Sequence, residues 1–524
     1  MTTQDPFVFD PDVEESRKHL RLILGALMLT MLLAALDQTI VSTALPVITS
    51  DLGGLNELSW VVTAYLLAST ATTPIWGKIS DLYGRKRMLQ LSIVVFVVGS
   101  MLAGAAQNMG ELIATRALQG VGGGGLMVLV MAVIADLIPP RERGRYAGLF
   151  GAVFGISSVV GPLLGGFFTQ HLSWRWIFYI NVPLGIAAFV VLGAVLHLPI
   201  THQRRKIDWM GSGLLVASVV SLLLVTVWGG HQYDWLSAQI VGLTVFGLAV
   251  GAWFVVHELR TEEPIVPMSL FRNKVFRVTS GIGFIVGFAM FGSIVYLSIY
   301  FQVVRGASPT EAGLMLLPLM VGVLLTSILS GQLITRLGRY KMFPVIGTAL
   351  ATVGLYLMSH MGVDTPFWFS ALAMFVLGAG LGNVMQVLVL AVQNTVAPQE
   401  MGAATSGSTF FRSIGGSFGT AFFGAVWTAR LATELSSSLP PGTGAGSGDI
   451  TSSITNIQAL PEPVQEIVLG AFARAMDTTF LVAVPFMAVA FVLALLLPEV
   501  RLRTHQDTAH ALAEDAGVPM PSLD

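Results

Sequence analysis

The sequence predicts an all-α integral membrane protein. It has fourteen transmembrane helices, arranged as two six-helix bundles with an extra helix pair between them, and both termini in the cytoplasm. Three observations predict this. Of 524 residues, 54% are hydrophobic and 11% charged, and mean hydropathy is +0.75; a soluble chain carries about 25% charged residues. The apolar residues gather in runs long enough to cross a bilayer. A glycine-and-arginine pattern that follows the second run recurs after the tenth.

A helix needs about 20 residues to cross a hydrocarbon core of about 30 Å. The runs that qualify cover 20–46, 58–76, 88–107, 110–135, 146–169, 177–198, 210–229, 237–257, 278–303, 311–334, 342–360, 366–394, 404–431 and 476–498. The first follows Arg17-Lys18-His19-Leu20-Arg21, which looks locally like a signal peptide. It is too long for one and contains an acid, so it reads as a retained span. The seventh and eighth carry Trp228 and Trp253 near their ends, as interfacial anchors would. The twelfth and fourteenth are long enough to span with some tilt.

These runs divide the chain into a cytoplasmic tail (1–19), a first bundle (20–198), a linker region holding two spans (199–276), a second bundle (277–498) and a second cytoplasmic tail (499–524). Within the second bundle, 433–475 reads as an extracellular loop. Its Ser436–Gly448 stretch is rich in Gly, Ser and Pro and reads as flexible. Residues 463–476 have helical periodicity and are expected at the outer interface. The tail after Thr504 is polar and is expected to be disordered.

Orientation follows from Lys and Arg. With the N-terminus inside, 22 of the 28 basic residues fall in cytoplasmic segments, among them Arg204, Arg205 and Lys206. The six others are Arg116, Arg175, Arg305, Arg412, Arg430 and Arg474. Such asymmetry fits an even number of spans.

The repeat relates Gly77-Lys78-Ile79-Ser80-Asp81-Leu82-Tyr83-Gly84-Arg85-Lys86-Arg87-Met88 to the segment Gly331 to Met342, with the same Gly, Gly-Arg and Met spacing. Thr335 replaces the acid in the second copy. Gly120-Val121-Gly122-Gly123-Gly124 likewise pairs with Gly378-Ala379-Gly380-Leu381-Gly382. Halves repeated about an axis along the membrane normal are a known transporter plan.

Several chemistries are excluded. A net charge of −2 offers no basic surface to a nucleic acid. Without cysteine there are no disulfides, catalytic thiols or thiolate metal sites. No His/acid metal cluster and no nucleophile–base pair stands out, so no enzyme and no metal are expected. The Gly120 run matches GxGxxG, but it lies within a span with no preceding strand, so it reads as close helix packing. No GxxxxGK[ST] phosphate loop occurs, which argues against ATP as the energy source.

One residue stands apart: Asp37, an acid inside the first run. An ionisable group at membrane depth is costly and faces a bundle interior or a wet cavity. Asp37 is therefore a candidate for exchanging a proton. Arg116 in the fourth run reaches comparable depth from the antiparallel direction and is the expected partner. Gly77 and Gly84 permit a tight turn around Asp81, Arg85 and Lys86. Asp81 and Arg85, four apart, can meet on one helical turn. Gly155, Gly161, Gly165 and Gly166 give the fifth run small faces, and Pro162 bends it.

Four of these stretches resemble the major facilitator superfamily, and more narrowly its fourteen-span drug:proton antiporters. They are Leu36 to Pro46; Gly77, Asp81, Gly84, Arg85 and Lys86; Arg116, Gln119, Gly120 and Gly122; and Gly155, Gly161, Pro162, Gly165 and Gly166. The resemblance implies a major facilitator fold. Asp37 and Arg116 would serve proton coupling, residues 77–88 a conformational latch, and the fifth span the interface between halves. It places spans one, four, nine and twelve around a central cavity. Candidate substrate contacts are then Gln38, Ser42, Gln119, Phe288, Phe291, Tyr296, Gln386, Gln393 and Arg412. Aromatic groups with a few polar ones suit large amphiphiles. Spans nine to fourteen show no deep carboxylate, which disfavours dicationic substrates.

The expected protein is a monomeric, cofactor-free, proton-driven exporter of amphiphilic small molecules in the cell membrane of a bacterium. Its partners are substrate, protons and the lipid bilayer. Two alternatives stay open: a dedicated exporter of one metabolite or lipid, and a non-transporting receptor or scaffold.

Overall fold

The computed structural model describes residues 14–53, 58–196, 207–230, 232–438 and 461–502. The basic triplet 204–206, most of the Ser436–Gly448 stretch and the tail after Thr504 lie outside them.

The described residues form long helices: α1 (Glu14–Leu52), α2 (Leu58–Tyr83), α3 (Arg85–Ala105), α4 (Met109–Leu137), α5 (Pro140–His171), α6 (Asn181–Val195), α7 (Trp209–Trp228), α8 (Ala238–Glu258), α9 (Lys274–Val303), α10 (Leu317–Leu337), α11 (Met342–Met358), α12 (Phe367–Thr395), α13 (Met401–Ser438) and α14 (Glu462–Leu496). Short turns at Trp176–Tyr179 and Pro309–Met315 lead into α6 and α10. Each apolar run falls on one long helix, except that 177–198 and 311–334 begin on the short turns just named. Ten helical segments among the described residues are long and apolar enough to cross a membrane. Among those that are not, α2, α5 and α13 are long enough but rich in Gly, Ser and Thr. These three pack largely against other helices: α2 on α4 and α13, α5 on α1 and α10, and α13 on α9. A helix sheltered between neighbours does not need a continuous apolar surface.

One apolar core is built mainly by α1, α3, α4 and α6 around Leu27, Phe96, Leu129 and Leu192. Another is built by α9 to α14 around Tyr300, Leu355, Leu377 and Phe480. The pair α7–α8 has its own small cluster, where Leu215, Val219 and Leu223 meet Leu67 and Ala71 of α2 and Phe410 of α13. Helix α7 thus lies across the line where α2 meets α13, with Trp228 edge-on to Trp60 at 5.8 Å.

The glycine runs set how tightly these helices pack. A Cβ at Gly120 or Gly124 would collide with the α2 backbone at Tyr65 or Ser69, and one at Gly122 with the α3 backbone at Phe96. The second copy does the same: Gly378 and Gly382 meet the α10 backbone at Leu319 and Val323, and Gly380 meets α11 at Gly347 and Ala351. The packing reading of the GxGxxG match therefore accounts for these glycines.

The expected interfacial segment 463–476 is not separate. It forms the first turns of α14, continuous with the apolar run. Val468, Ala471, Phe472 and Ala475 bury against Leu431 and Leu435 at the far end of α13. Trp427 packs edge-on to Phe472 at 5.5 Å, and Arg474 pairs with Glu434 at 2.6 Å. Both ends of the interval read as loop are thus helical, because a buried stripe inside a polar sequence has partners only in the folded chain.

The start of α1 and the end of α14 share one face of the molecule, called here the terminal face. There Tyr340, between α10 and α11, donates to the Pro498 carbonyl at 2.8 Å.

Candidate functional site

Asp37 and Arg116 meet between α1 and α4, 0% and 1% exposed. An Arg116 guanidinium nitrogen (Nη1) lies 2.7 Å from Asp37 Oδ2. Asp37 Oδ1 accepts from Gln119 Nε2 at 2.8 Å and from Asn181 Nδ2 at 3.1 Å. Arg116 also donates to Gln119 Oε1 at 2.8 Å and, through Nε, to the Val61 carbonyl at 3.1 Å. Its guanidinium lies over the Tyr65 ring, 4.5 Å from the centroid. Asn181 is itself held by Ser100 at 3.0 Å. The carboxylate therefore has three donors drawn from α4 and α6, and its charge is matched by one cation. A buried pair of this kind is stable only while both members and their hydrogen bonds are present. Gln38, one residue on, is exposed.

A second cluster ties α2 to α13 at the terminal face. The two helices approach so closely that a Cβ on Gly77 would strike Ser406 and the Gly402 carbonyl. Asp81 then accepts from the backbone N–H of Gly402 at 3.1 Å and of Ala403 at 3.0 Å. These are among the unpaired donors of the first turn of α13, where the helix dipole favours an anion. Arg85 pairs with Asp81 at 2.5 Å and with Asp136 at the end of α4 at 2.9 Å. Gly84 turns the chain between α2 and α3 with φ of +93°, a region costly for a side chain. Lys86 donates to the Gly193 carbonyl in the last turn of α6 at 2.8 Å. Burial pushes the Asp81 carboxyl up to about 6, against the pull of Arg85 and the two N–H groups. In the second copy Thr335 donates to the Gly331 carbonyl of its own helix at 2.9 Å. No carboxylate stands there to reach another helix.

Among the α5 positions, Gly161 makes the close approach, against Thr39 and Ile40 of α1. Thr39 donates to the Ser157 carbonyl at 2.9 Å. Gly155 and Gly166 face open space. Pro162 lies inside the helix, next to Gly161, and Gly165 is buried.

The candidate substrate residues do not form one group. Gln119 belongs to the Asp37 network. Gln386 and Gln393 line a cavity of about 40 Å³ between α4, α5, α10 and α12. Phe288 is 8% exposed and packed among Phe422, Phe423 and Phe486, with ring centroids 4.9–5.4 Å away. Tyr296 lies further along α9 beside Trp427 at 5.9 Å. Phe291 is 41% exposed, Arg412 is partly exposed, and the Ser42 side chain lies outside the described ones.

Sequence reasoning missed two polar residues that the fold buries. Asn181 opens α6, four residues inside the sixth apolar run, behind the short turn at Trp176–Tyr179. Arg143 belongs to the basic segment after the fourth run, yet it is 8% exposed. It donates to the carbonyls of Ile138 at 2.5 Å and of Ala135, and across to Gln393 of α12 at 3.1 Å. Gln393 passes the contact on to Thr405 of α13 at 3.0 Å. Among the described residues, no group of three or more His, Asp or Glu could hold a metal ion.

Residues 27–420 match the family model described as Major Facilitator Superfamily. The chain is 45% identical over 498 residues to an uncharacterized MFS-type transporter of Mycobacterium tuberculosis, covering 95% of this chain and 72% of that one. It is 37% identical over 493 residues to Multidrug resistance protein 3 of Bacillus subtilis, covering 92% and 96%. In fold it is similar to the proton:xylose symporter XylE, with a TM-score of 0.61 at 15% identity, over 94% of this chain and 99% of that one.

Proposed function

Because the chain belongs to the Major Facilitator Superfamily, whose members are multi-pass membrane transporters of small molecules and not enzymes, we propose that it exports amphiphilic compounds from the cytoplasm or inner leaflet in exchange for protons. In this reading all fourteen helices span the cell membrane of a bacterium, in two six-helix bundles joined by α7–α8. The terminal face is cytoplasmic, the protein acts as a monomer, and no cofactor is involved.

The observation that carries the proposal is the enclosed Asp37–Arg116 pair. A proton on Asp37 cancels the charge that holds Arg116, so protonation loosens α1 from α4. Departure of the proton restores the pair. The Asp81 contact with α13 would keep the cytoplasmic side shut, so in this reading the enclosed Asp37 gains access to protons when the outer side opens. The name borne by one relative, Multidrug resistance protein 3, points the same way.

Proteoliposomes with an imposed pH gradient and a monocationic fluorescent dye test this directly. Wild type is expected to move dye against protons, and Asp37→Asn, checked for folding by size exclusion, to move none. Equal transport by both would remove Asp37 from the coupling step. A narrow profile across a chemically diverse panel would favour a carrier dedicated to one compound.

A further inference from the structure

Arg412 lies eleven residues after the start of α13. At 1.5 Å per residue it sits roughly 16 Å along the helix, about halfway through an apolar slab of ~30 Å. The backbone of Arg412 rests on Gly287 of α9, and both its Cβ and Leu388 of α12 come near Gly283. Among the described residues it makes no hydrogen bond and no ion pair.

The nearby acids are engaged elsewhere. Asp37 holds Arg116, and Asp81 holds Arg85 and the start of α13. Glu400 accepts from Ser269 at 3.3 Å. Helices α9 and α12 contain no acid. The one acid of α13, Glu434, is 22 residues further on and is paired with Arg430 and Arg474. Arg412 is therefore a partly exposed cation at membrane depth without an anion. Beside it, one turn along both helices, the exposed Phe291 ring lies on Gly416.

We propose that Arg412 and Phe291 form an anion-binding subsite, taking the carboxylate of an acidic or zwitterionic amphiphile on the guanidinium and its apolar body on the ring. A cation at this depth is tolerated where an opposite charge meets it. The planar guanidinium fits a carboxylate through two parallel hydrogen bonds. The inference rests on the transporter reading above and narrows its substrate class.

The test uses two dyes that differ only in the acid, zwitterionic rhodamine B and its cationic ethyl ester. Their binding is measured by fluorescence anisotropy on full-length protein in nanodiscs of neutral lipid at pH 8. Wild type is expected to prefer rhodamine B. Arg412→Gln is expected to weaken rhodamine B roughly tenfold or more, the scale of a lost charge-assisted hydrogen bond, and to leave the ester unchanged. Arg412→Lys should keep part of the preference. Wild type favouring the ester, or Arg412→Gln binding both dyes as wild type does, would overturn the proposal. The first of these needs no variant, so a misfolded Arg412→Gln still leaves a decision. Nanodiscs of anionic lipid separate two sources of the anion. If anionic lipid weakens rhodamine B in wild type more than in Arg412→Gln, a lipid headgroup enters the subsite; equal effects assign it to the free amphiphile. Proton-driven flux of rhodamine B that Arg412→Gln leaves unchanged would overturn the subsite and leave the exporter reading intact.

Discussion

Arg116 divides its hydrogen bonds among Asp37, Gln119 and the Val61 carbonyl, and its face among aromatic rings, so its removal strands Asp37 with two amides and no counter-charge. Arg116→Ala is expected to destabilise the protein by about 3–5 kcal/mol, the usual cost of orphaning one member of a buried pair. The double variant Asp37→Asn/Arg116→Gln removes both charges and should lose much less. Thermal unfolding of the purified variants compares them, and a double variant as unstable as Arg116→Ala would show that charge is not the cause. The pair itself was legible in the sequence, because an acid and a base interrupt apolar runs at matching depth. Asn181 and Arg143 were not. Asn181 lies inside an apolar run and Arg143 in a basic loop, and the partners that reveal their roles, Asp37 and Ser100 for the one and Gln393 for the other, are distant in sequence.

At the scale of elements, glycines separate into two kinds that composition cannot distinguish. Gly122 holds the α3 backbone against α4, while Gly166 faces open space. Gly122→Leu should force the helices apart and abolish folded expression. Gly166→Ala should be neutral or stabilise by up to about 1 kcal/mol, since alanine is the better helix former. If the two variants have equal yields and melting temperatures, close packing at Gly122 is not what holds α3 to α4. The repeat made this function of the runs readable, because two copies at corresponding positions ask for one explanation. The extensions of α13 and α14 beyond their apolar runs were not readable. Their surface residues are polar enough to resemble a loop, and the stripe that binds them is seen only when the two helices lie together.

For the whole molecule, the Asp81 contact makes closure of the terminal face depend on pH. Closed, the Asp81 carboxyl is pushed up to about 6; in water an Asp carboxyl titrates near 3.9. Between those values the closed state binds more protons than a state with Asp81 in water. Closure is thus favoured as pH falls through about 6 and opposed as pH rises through it. The chain has no cysteine, so Tyr83→Cys and Gln399→Cys can carry spin labels without competing sites. The long-distance population is expected to fall between pH 7 and pH 5, and Asp81→Asn should abolish that response. A rise instead of a fall would reverse the assignment. The charged half of this contact was legible as Asp81 and Arg85 four residues apart. Its other half was not, because Gly402 and Ala403 contribute only backbone N–H groups, which every residue but proline carries.

Helix α13, 38 residues long, begins at the Asp81 contact, and its far part lies beside Phe472 and Arg474 of α14. As one rod it is about 57 Å long. A rigid rod works as a lever. Tilting it by roughly 10° about its middle would carry each end about 5 Å in opposite directions. The paired tips of α13 and α14 would then act as the pointer of a gauge whose zero is set at Gly402, and a reporter at Glu434 would read, from one side of the membrane, whether the other side is shut.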